Sequence, residues 1–361
     1  MSSLPIIETS RPNEIVIDPD GDLRLKVGQP KCIIPLESSD DGCSDHSDLL
    51  SDSDDEDCDY HEHLLPIIYR VCSKTLSRAS RVRKVLLYGG FSESRASCAS
   101  GSDWIVELPD DDSGAMFLAL NIIHSRFESI PRATDVIDIE KLYRITVLTD
   151  KYDLAHILRP WASTWMEHLR KKRHLQKKQK GPPIILDLER MLWISWELGD
   201  QSFFTSIARC IVRYSCANAA GDLQNNNGLE MTKLFSATLE PPGMYDLIKP
   251  ARLSLISTLY TPFTDLFVSL LSKQSRCCKA EPQSSENWKC ERTMLGNLTA
   301  TLVEGDCWPS LTPATSEKSA YEICKELEKA ETASLLPGDQ HSDCIGMPDQ
   351  KDRLTAACRD I

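Results

Sequence analysis

The sequence predicts an α+β fold: short strands open the first domain and helices fill the rest. Three observations predict it. Residues 21–27, "GDLRLKV", alternate apolar and charged side chains with the period of a half-buried strand. Leu142, Ile145, Leu148 and Tyr152 recur at helical spacing. The strand-like and helix-like stretches do not alternate regularly, which argues against a repeating βαβ unit.

Taken in order, residues 1–18 predict a disordered start. In 21–27, Leu23, Leu25 and Val27 are the buried set, and "KCIIPLE" extends the hairpin. Residues 38–63 hold "SDDGCSDHSDLLSDSDDEDCDYHE", an acidic run without periodicity that predicts a disordered insertion. A β-like run with Ile67, Ile68, Tyr69 and Val71 leads into one helix with Leu76, Ala79, Val82 and Leu86 inside, stopped by Gly89-Gly90. "DWIVELPDDD" is a second alternating strand. The next helix has Asp112 or Ser113 as N-cap and Ala115, Leu118, Ile122 and Ile123 inward. The Leu142 helix follows, with Asp138 as cap. A further helix aligns Leu158, Trp161, Trp165 and Leu169, with Pro160 in its first turn.

The basic run "RKKRHLQKKQK" and Gly181-Pro182-Pro183 predict a linker over 171–183. Residues 184–335 then predict an all-α region: a helical hairpin hinged at Gly199, a polar loop "AGDLQNNNG", a long apolar helix kinked at Pro262, and two short helices. The polar stretch 336–361 predicts a disordered tail.

Charge and cysteine usage narrow the function. The 361-residue chain carries a net charge of −13, which argues against non-specific nucleic-acid binding, because phosphate contacts need a basic surface. The amino terminus shows no secretory signal, and no run reaches the length of a membrane span. An intracellular, nuclear or cytoplasmic protein follows, with its 14 cysteines as reduced thiols.

At "VCSKTLSRASRVRKVLLYGGFSES", preceded by "GDLRLKV" and followed by "DWIVELPDDDSGAMFLALNIIH" and "LYRITVLTDKYDL", residues 19–170 resemble a BTB/POZ domain of the filamentous-fungal type. The family pattern is an aspartate-led strand, a strand running into a helix with a serine one turn on, a Leu-Pro-Asp-Asp turn, and a helix ending Leu-Thr-Asp-Lys-Tyr-Asp-Leu. Here those features fall at Asp22, at Cys72–Leu76 with Ser80, at 108–111 and at 148–154. Ser73 stands where the family has histidine, and Arg81 and Arg83 where it has proline and phenylalanine. The acidic run is an insertion before the second strand.

The resemblance implies a non-enzymatic protein-interaction module that self-associates, as a homodimer, or docks a protein partner. Its alternatives are a substrate adaptor of a cullin-type ubiquitin ligase and a nuclear regulatory protein that does not read DNA. In the cullin-recruiting members a hydrophobic-x-Glu motif follows this helix, and Phe91 and Glu93 match it. Dimeric members place an acid and a base in a charged pocket, matched by Asp22 and Lys74. Either pair has an ordinary reading: a phenylalanine folded onto its own domain, and a strand–helix ion pair.

No residue pattern points to catalysis or a cofactor. Phosphate loop, nucleophile elbow and His-Glu-x-x-His are all missing, and Asp110-Asp111 read as turn aspartates that cap a helix. Cys277, Cys278, Cys290, Cys307, His341 and Cys344 lack the paired spacing of a structural zinc site, so no metal is expected. Trp161, Trp165, Trp193 and Trp196 sit at helical spacing, as core residues do. Ser38, Ser51 and Ser53 each precede an acid by three residues, which suits acidophilic kinases. The basic run reads as a nuclear localisation signal or as a solvated helix end.

Overall fold

The computed structural model describes residues 13–29, 66–95, 103–131, 137–177, 183–226, 231–272, 284–305, 317–328 and 344. The acidic run with Ser38, Ser51 and Ser53, the "KCIIPLE" stretch and most of 336–361 lie outside them. The fold is mixed α+β, in two compact units: residues 1–136 with 144–160, and 137–143 with 161–361.

The first unit is built on a four-stranded sheet of order β1-β3-β2-β4. Its strands are β1 (Glu14–Val16), β2 (Leu23–Val27), β3 (Ile67–Val71) and β4 (Ile105–Leu108). β2 runs antiparallel to β3 and parallel to β4, with Leu25 opposite both Tyr69 and Val106. The alternation read from 21–27 holds: Leu23, Leu25 and Val27 are buried. The other face carries cross-strand ion pairs, Arg24 to Glu14 and Asp103 at 2.9 Å each and Lys26 to Glu107 at 2.8 Å. Residues 13–18, predicted disordered, are ordered. β1 pairs with β3, and Arg24 compensates the buried Glu14 carboxylate, a long-range partner that local composition does not reveal.

The predicted single helix after β3 is two, α1 (Ser73–Ala79) and α2 (Arg81–Tyr88). Ser80 breaks them apart in an extended conformation, φ −134° and ψ 126°. Its hydroxyl accepts from the Arg83 amide at 2.9 Å and donates to the Tyr152 carbonyl at 2.6 Å. The break shifts the helical phase. Leu76, Arg83 and Leu87 are buried, as are Ser73 and Ser80, while Val82, expected inside, is exposed.

Arg83 is therefore a guanidinium in an apolar site. Its carbon lies 3.6 Å from the centre of the Tyr152 ring, Nη2 contacts the Met116 sulfur at 3.6 Å, and Nη1 has no hydrogen-bond partner. Burial pulls its pKa down, and the Tyr152 and Asp111 charges act the other way. A buried charge without an ion pair stabilises less than an apolar side chain of like volume. Arg83→Met and Arg83→Phe are expected to melt at or above the wild-type temperature. Arg83→Ala, which leaves a cavity, should cost about 3 kcal/mol. A large loss for both apolar variants would show that the charge itself is needed.

Asp112, one of the two predicted caps, caps α3 (Ser113–Ile123) by accepting from the Ala115 amide at 2.8 Å. On α4 (Ile139–Lys151) Leu142, Ile145 and Leu148 are buried as predicted, as is Tyr152 just beyond it. Asp138 accepts from the Glu140 amide. Asp153 adopts φ +53° after α4, so α5 (Ala155–Lys177) starts early and Pro160 is its sixth residue, not part of its first turn. The boundary between the units falls at Pro160, ten residues before the predicted domain end at 170. The basic run is helix through Lys177, where the sequence predicts a linker. Arg173 is buried, donating to the Cys210 sulfur, and Arg170 pairs with Asp200.

In the second unit α6 (Ile185–Glu197) and α7 (Gln201–Tyr214) form the predicted hairpin, with Gly199 at φ +75°. The expectation of an all-α region fails here. β5 (Cys216–Ala217), β6 (Leu223–Asn226) and β7 (Met231–Lys233) make an antiparallel sheet where a polar loop was predicted. The strand "LQNN" has no β-branched or aromatic residue to announce it. A buried carboxylate organises it instead: Glu189 of α6 accepts from Asn225 Nδ2 at 2.8 Å, the Phe235 amide at 3.2 Å and the Thr238 hydroxyl at 2.9 Å.

α8 (Met244–Leu271), α9 (Ser285–Glu304) and α10 (Ala320–Glu328) share a core of Ile256, Phe263, Leu266, Met294, Leu298 and Ile323. Cys344, from the stretch predicted disordered, is buried in it. α8 begins before the predicted start and holds Pro250 as well as Pro262. By length and composition it could cross a bilayer, its best window having a mean hydropathy of 1.2, where the sequence reading found no such run. Ile256, Phe263 and Leu266 on it belong to the core just described, while Leu247, Val268 and Leu271 are exposed. Cys324 is disulfide-bonded, against the expectation of thiols throughout.

Candidate functional site

Three of the four predicted partner-binding residues gather at one end of the first unit. Asp22 precedes β2, where its carboxylate accepts from the Ser73 amide and the Ser73 hydroxyl, both at 2.8 Å. The Ser73 hydroxyl also meets the Tyr88 hydroxyl at 2.6 Å, and the Tyr88 ring packs edge-on to Trp104 with centres 6.0 Å apart. Ser73 thus joins the strand, both short helices and the ring system in one chain of contacts.

Lys74 does not belong to it. It is exposed and makes no ion pair with a described residue, so the predicted Asp22–Lys74 pairing is replaced. The partner of Asp22 is Arg95, at 2.9 Å from Oδ2.

Arg95 follows Phe91 and Glu93 in the loop after α2. Gly90, at φ +85°, closes α2, and its amide donates to the Ser94 hydroxyl at 2.9 Å. The Ser94 hydroxyl in turn donates to the Leu86 carbonyl, and Trp104 Nε1 donates to the Glu93 carbonyl at 2.9 Å. The loop backbone is thereby held from α2, from β4's approach and from the Asp22 carboxylate. Ser94 is buried, but Phe91 faces outward and is 54% exposed. The Glu93 carboxylate, also half-open to solvent, accepts from the Ser92 hydroxyl at 2.7 Å, which lowers its pKa. Tyr88, Arg95 and Trp104 were not singled out in the sequence; Ser73 was noted there only as a departure from the pattern the chain resembles.

Partial burial works to raise the Asp22 pKa, but the two Ser73 hydrogen bonds and the Arg95 charge outweigh it, and the group falls below the ordinary 3.8. Its stabilisation is complete above pH 3.8 and disappears as pH falls through the lower folded value. The melting-temperature gap between wild type and Asp22→Asn should therefore be constant at higher pH and close below that point. A gap that persists at low pH would assign the effect to packing.

The remaining sequence candidates are placed as follows. Asp111 does not cap a helix. It is buried, accepting from Lys151 Nζ at 2.7 Å and the Tyr152 hydroxyl at 2.5 Å, because the turn directs it inward while Asp112 takes the cap. Asp110 lies 3.5 Å from Gln29 Nε2. Trp165 and Trp193 are core, and Trp161 is half-buried and stacked on Trp165 at 6.3 Å. Trp196, predicted core, is 48% exposed, since the inward face of α6 is filled by Leu188, Leu192 and Ser195, and the ring leans on Phe204 instead.

Among the described residues, no three His, Cys, Asp or Glu side chains are grouped to hold a metal ion. Cys277, Cys278, Cys307 and His341 lie outside those residues, and Cys290 and Cys344 are buried in the α8–α10 core. Burial pushes the Cys216 thiol up to about 11, with Glu322 adding to the shift, so it is protonated at neutral pH. Comparison with protein-family models gives no match, and comparison with curated proteins gives none either. What the chain displays is a mixed α+β unit with an ordered, outward-facing loop.

Proposed function

We propose that the first unit is a BTB/POZ-type interaction domain without enzymatic activity, which self-associates or docks a protein partner, and that the second unit is its scaffold. The carrying observation is the surface formed by α2 and its following loop. Val82, Val85, Tyr88 and Phe91 are 41%, 49%, 43% and 54% exposed, spaced by three along the chain on backbone tied down at both ends. Apolar groups kept outward on rigid backbone are the usual signature of an interaction surface.

The order of features also supports the family reading. Asp22 leads β2, β3 runs into α1, Ser80 sits one turn on, β4 ends at the 109–110 turn, and α4 closes the series. The outward Phe91 and Glu93 favour one particular form of it, an adaptor that docks a cullin. Intracellular placement, nuclear or cytoplasmic, belongs to the same proposal. The burial of Arg173 and the pairing of Arg170 favour a structural role for the basic run over a nuclear signal.

Affinity capture with the full chain, combined with light scattering after size exclusion, tests the reading. Concentration-dependent dimers, or a protein captured by wild type and lost in a Phe91→Ala variant, support it. A strict monomer whose captured proteins are unchanged by surface variants would sink it.

A further inference from the structure

The outer side of α1 and α2 carries an open depression of about 740 Å³ lined by Ser77, Arg78, Arg81, Lys84, Val85 and Tyr88. Its three cations are exposed, and none of their side chains makes an ion pair or hydrogen bond with a described residue. Elsewhere in this unit Arg24, Lys26, Arg95, Arg126, Arg144 and Lys151 have acidic partners, while the single cations Lys74 and Arg83 do not. Arg78, Arg81 and Lys84 differ in standing together, as a local basic cluster on a chain of net charge −13. Tyr88 is held by Ser73 and Trp104, so the apolar part of the surface is rigid before anything binds.

We infer that this depression docks an acidic peptide segment of a partner protein, with carboxylates on Arg78, Arg81 and Lys84 and an apolar side chain on Val85 and Tyr88. The inference rests on the reading of this unit as an interaction module and adds the chemistry of the partner. Charge complementarity selects the occupant. Cations without an ion pair to a described residue gain charge-assisted hydrogen bonds from carboxylates without breaking one of the pairs described above. Arginine forks give orientation, and Val85 with Tyr88 demands an apolar anchor beside the acids. A nucleic acid fits less well. Three phosphate contacts release few counterions, and a polyanion that continues past the patch meets the acidic remainder of the chain.

The test is fluorescence anisotropy on the full chain. The probe is a labelled peptide with a Leu-Leu pair flanked on both sides by Asp and Glu; the control replaces those acids with Asn and Gln. Saturable binding of the acidic probe, weakened by salt and not shared by the control, is expected. The Arg78→Ala, Arg81→Ala, Lys84→Ala triple variant should bind at least roughly tenfold more weakly at an unchanged melting temperature, since all three side chains are exposed. Val85→Ser should bind several-fold more weakly with an unaltered salt dependence.

Equal binding by wild type and the triple variant, or no saturable binding, overturns the proposal. So does displacement of the probe by a single-stranded oligonucleotide at lower concentration, which would make the surface a nucleic-acid site. Binding that emerges only when 38–63 is deleted would make the chain's own acidic run the occupant and overturn a partner in trans. Phe91→Ala should leave probe binding intact, so failure of the loop reading and failure of this one give different results.

Discussion

Glu189→Ala should destabilise the second unit by about 3–5 kcal/mol. The side chain is fully buried, and its two oxygens satisfy three donors: Asn225 Nδ2, the Phe235 amide and the Thr238 hydroxyl. Alanine would leave the buried Asn225 amide without its acceptor, remove the acceptor of the half-buried Phe235 and Thr238 groups, and open a cavity under β6. For a unit of this size that corresponds to a fall in melting temperature on the order of 10 °C. Hydrogen exchange should show the Phe235 amide losing protection first. Glu189→Gln keeps an acceptor for Asn225 and Phe235, and the Thr238 hydroxyl can turn to accept, so it should stay within about 1 kcal/mol of wild type.

The same pair of variants has a pH signature. Burial raises the Glu189 pKa above 4.5, and the three hydrogen bonds, with Arg190, offset only part of that rise. A carboxyl with a raised folded pKa costs stability when ionised. Wild type should therefore gain on Glu189→Gln as pH falls from neutral through the folded value toward 4.5, with no further gain below. A wild type that instead loses ground over that interval would mean that the hydrogen bonds outweigh burial.

Phe91→Ala should weaken partner binding by about 2 kcal/mol, roughly thirtyfold, if the loop docks a cullin. The ring is the largest apolar group on the loop, and Gly90, Ser94 and Trp104 fix the backbone beneath it, so little ordering remains to be done on binding. Glu93→Ala should cost less and lose its effect at high salt, as an exposed rim charge does. Neither change should move the melting temperature of the full chain. A fall of several degrees in Phe91→Ala would show that the ring packs on its own domain. Absence of cullin binding by wild type would reduce the motif to coincidence and leave the α2 face as the interaction surface.

Features set by neighbouring residues could be read directly. Leu23, Leu25 and Val27 alternate because a strand turns its side chains over at every residue, and that period is visible in five letters. Leu142, Ile145, Leu148 and Tyr152 follow the turn of a helix in the same way, and Gly199 marks a hinge because its positive φ suits glycine. The Asp112 cap was legible from its place before an apolar helix. Gly89-Gly90 marked the end of the helix ahead of Phe91 and Glu93, a pair that the resemblance, not turn chemistry, singled out.

What was misread depends on partners far along the chain. Ser80 breaks a helix that local spacing would continue, because its hydroxyl is claimed by a carbonyl 72 positions away. That break turns Arg83 inward and Val82 outward. Asp22 pairs with Arg95, 73 positions on, and not with Lys74, which is nearer in sequence. β6 exists although its residues do not favour strands, because Glu189 on α6 captures Asn225. Periodicity and turn chemistry are short-range and written in adjacent letters; which polar group finds which partner depends on how the chain folds back, and there the surface of α2 and its loop acquired their form.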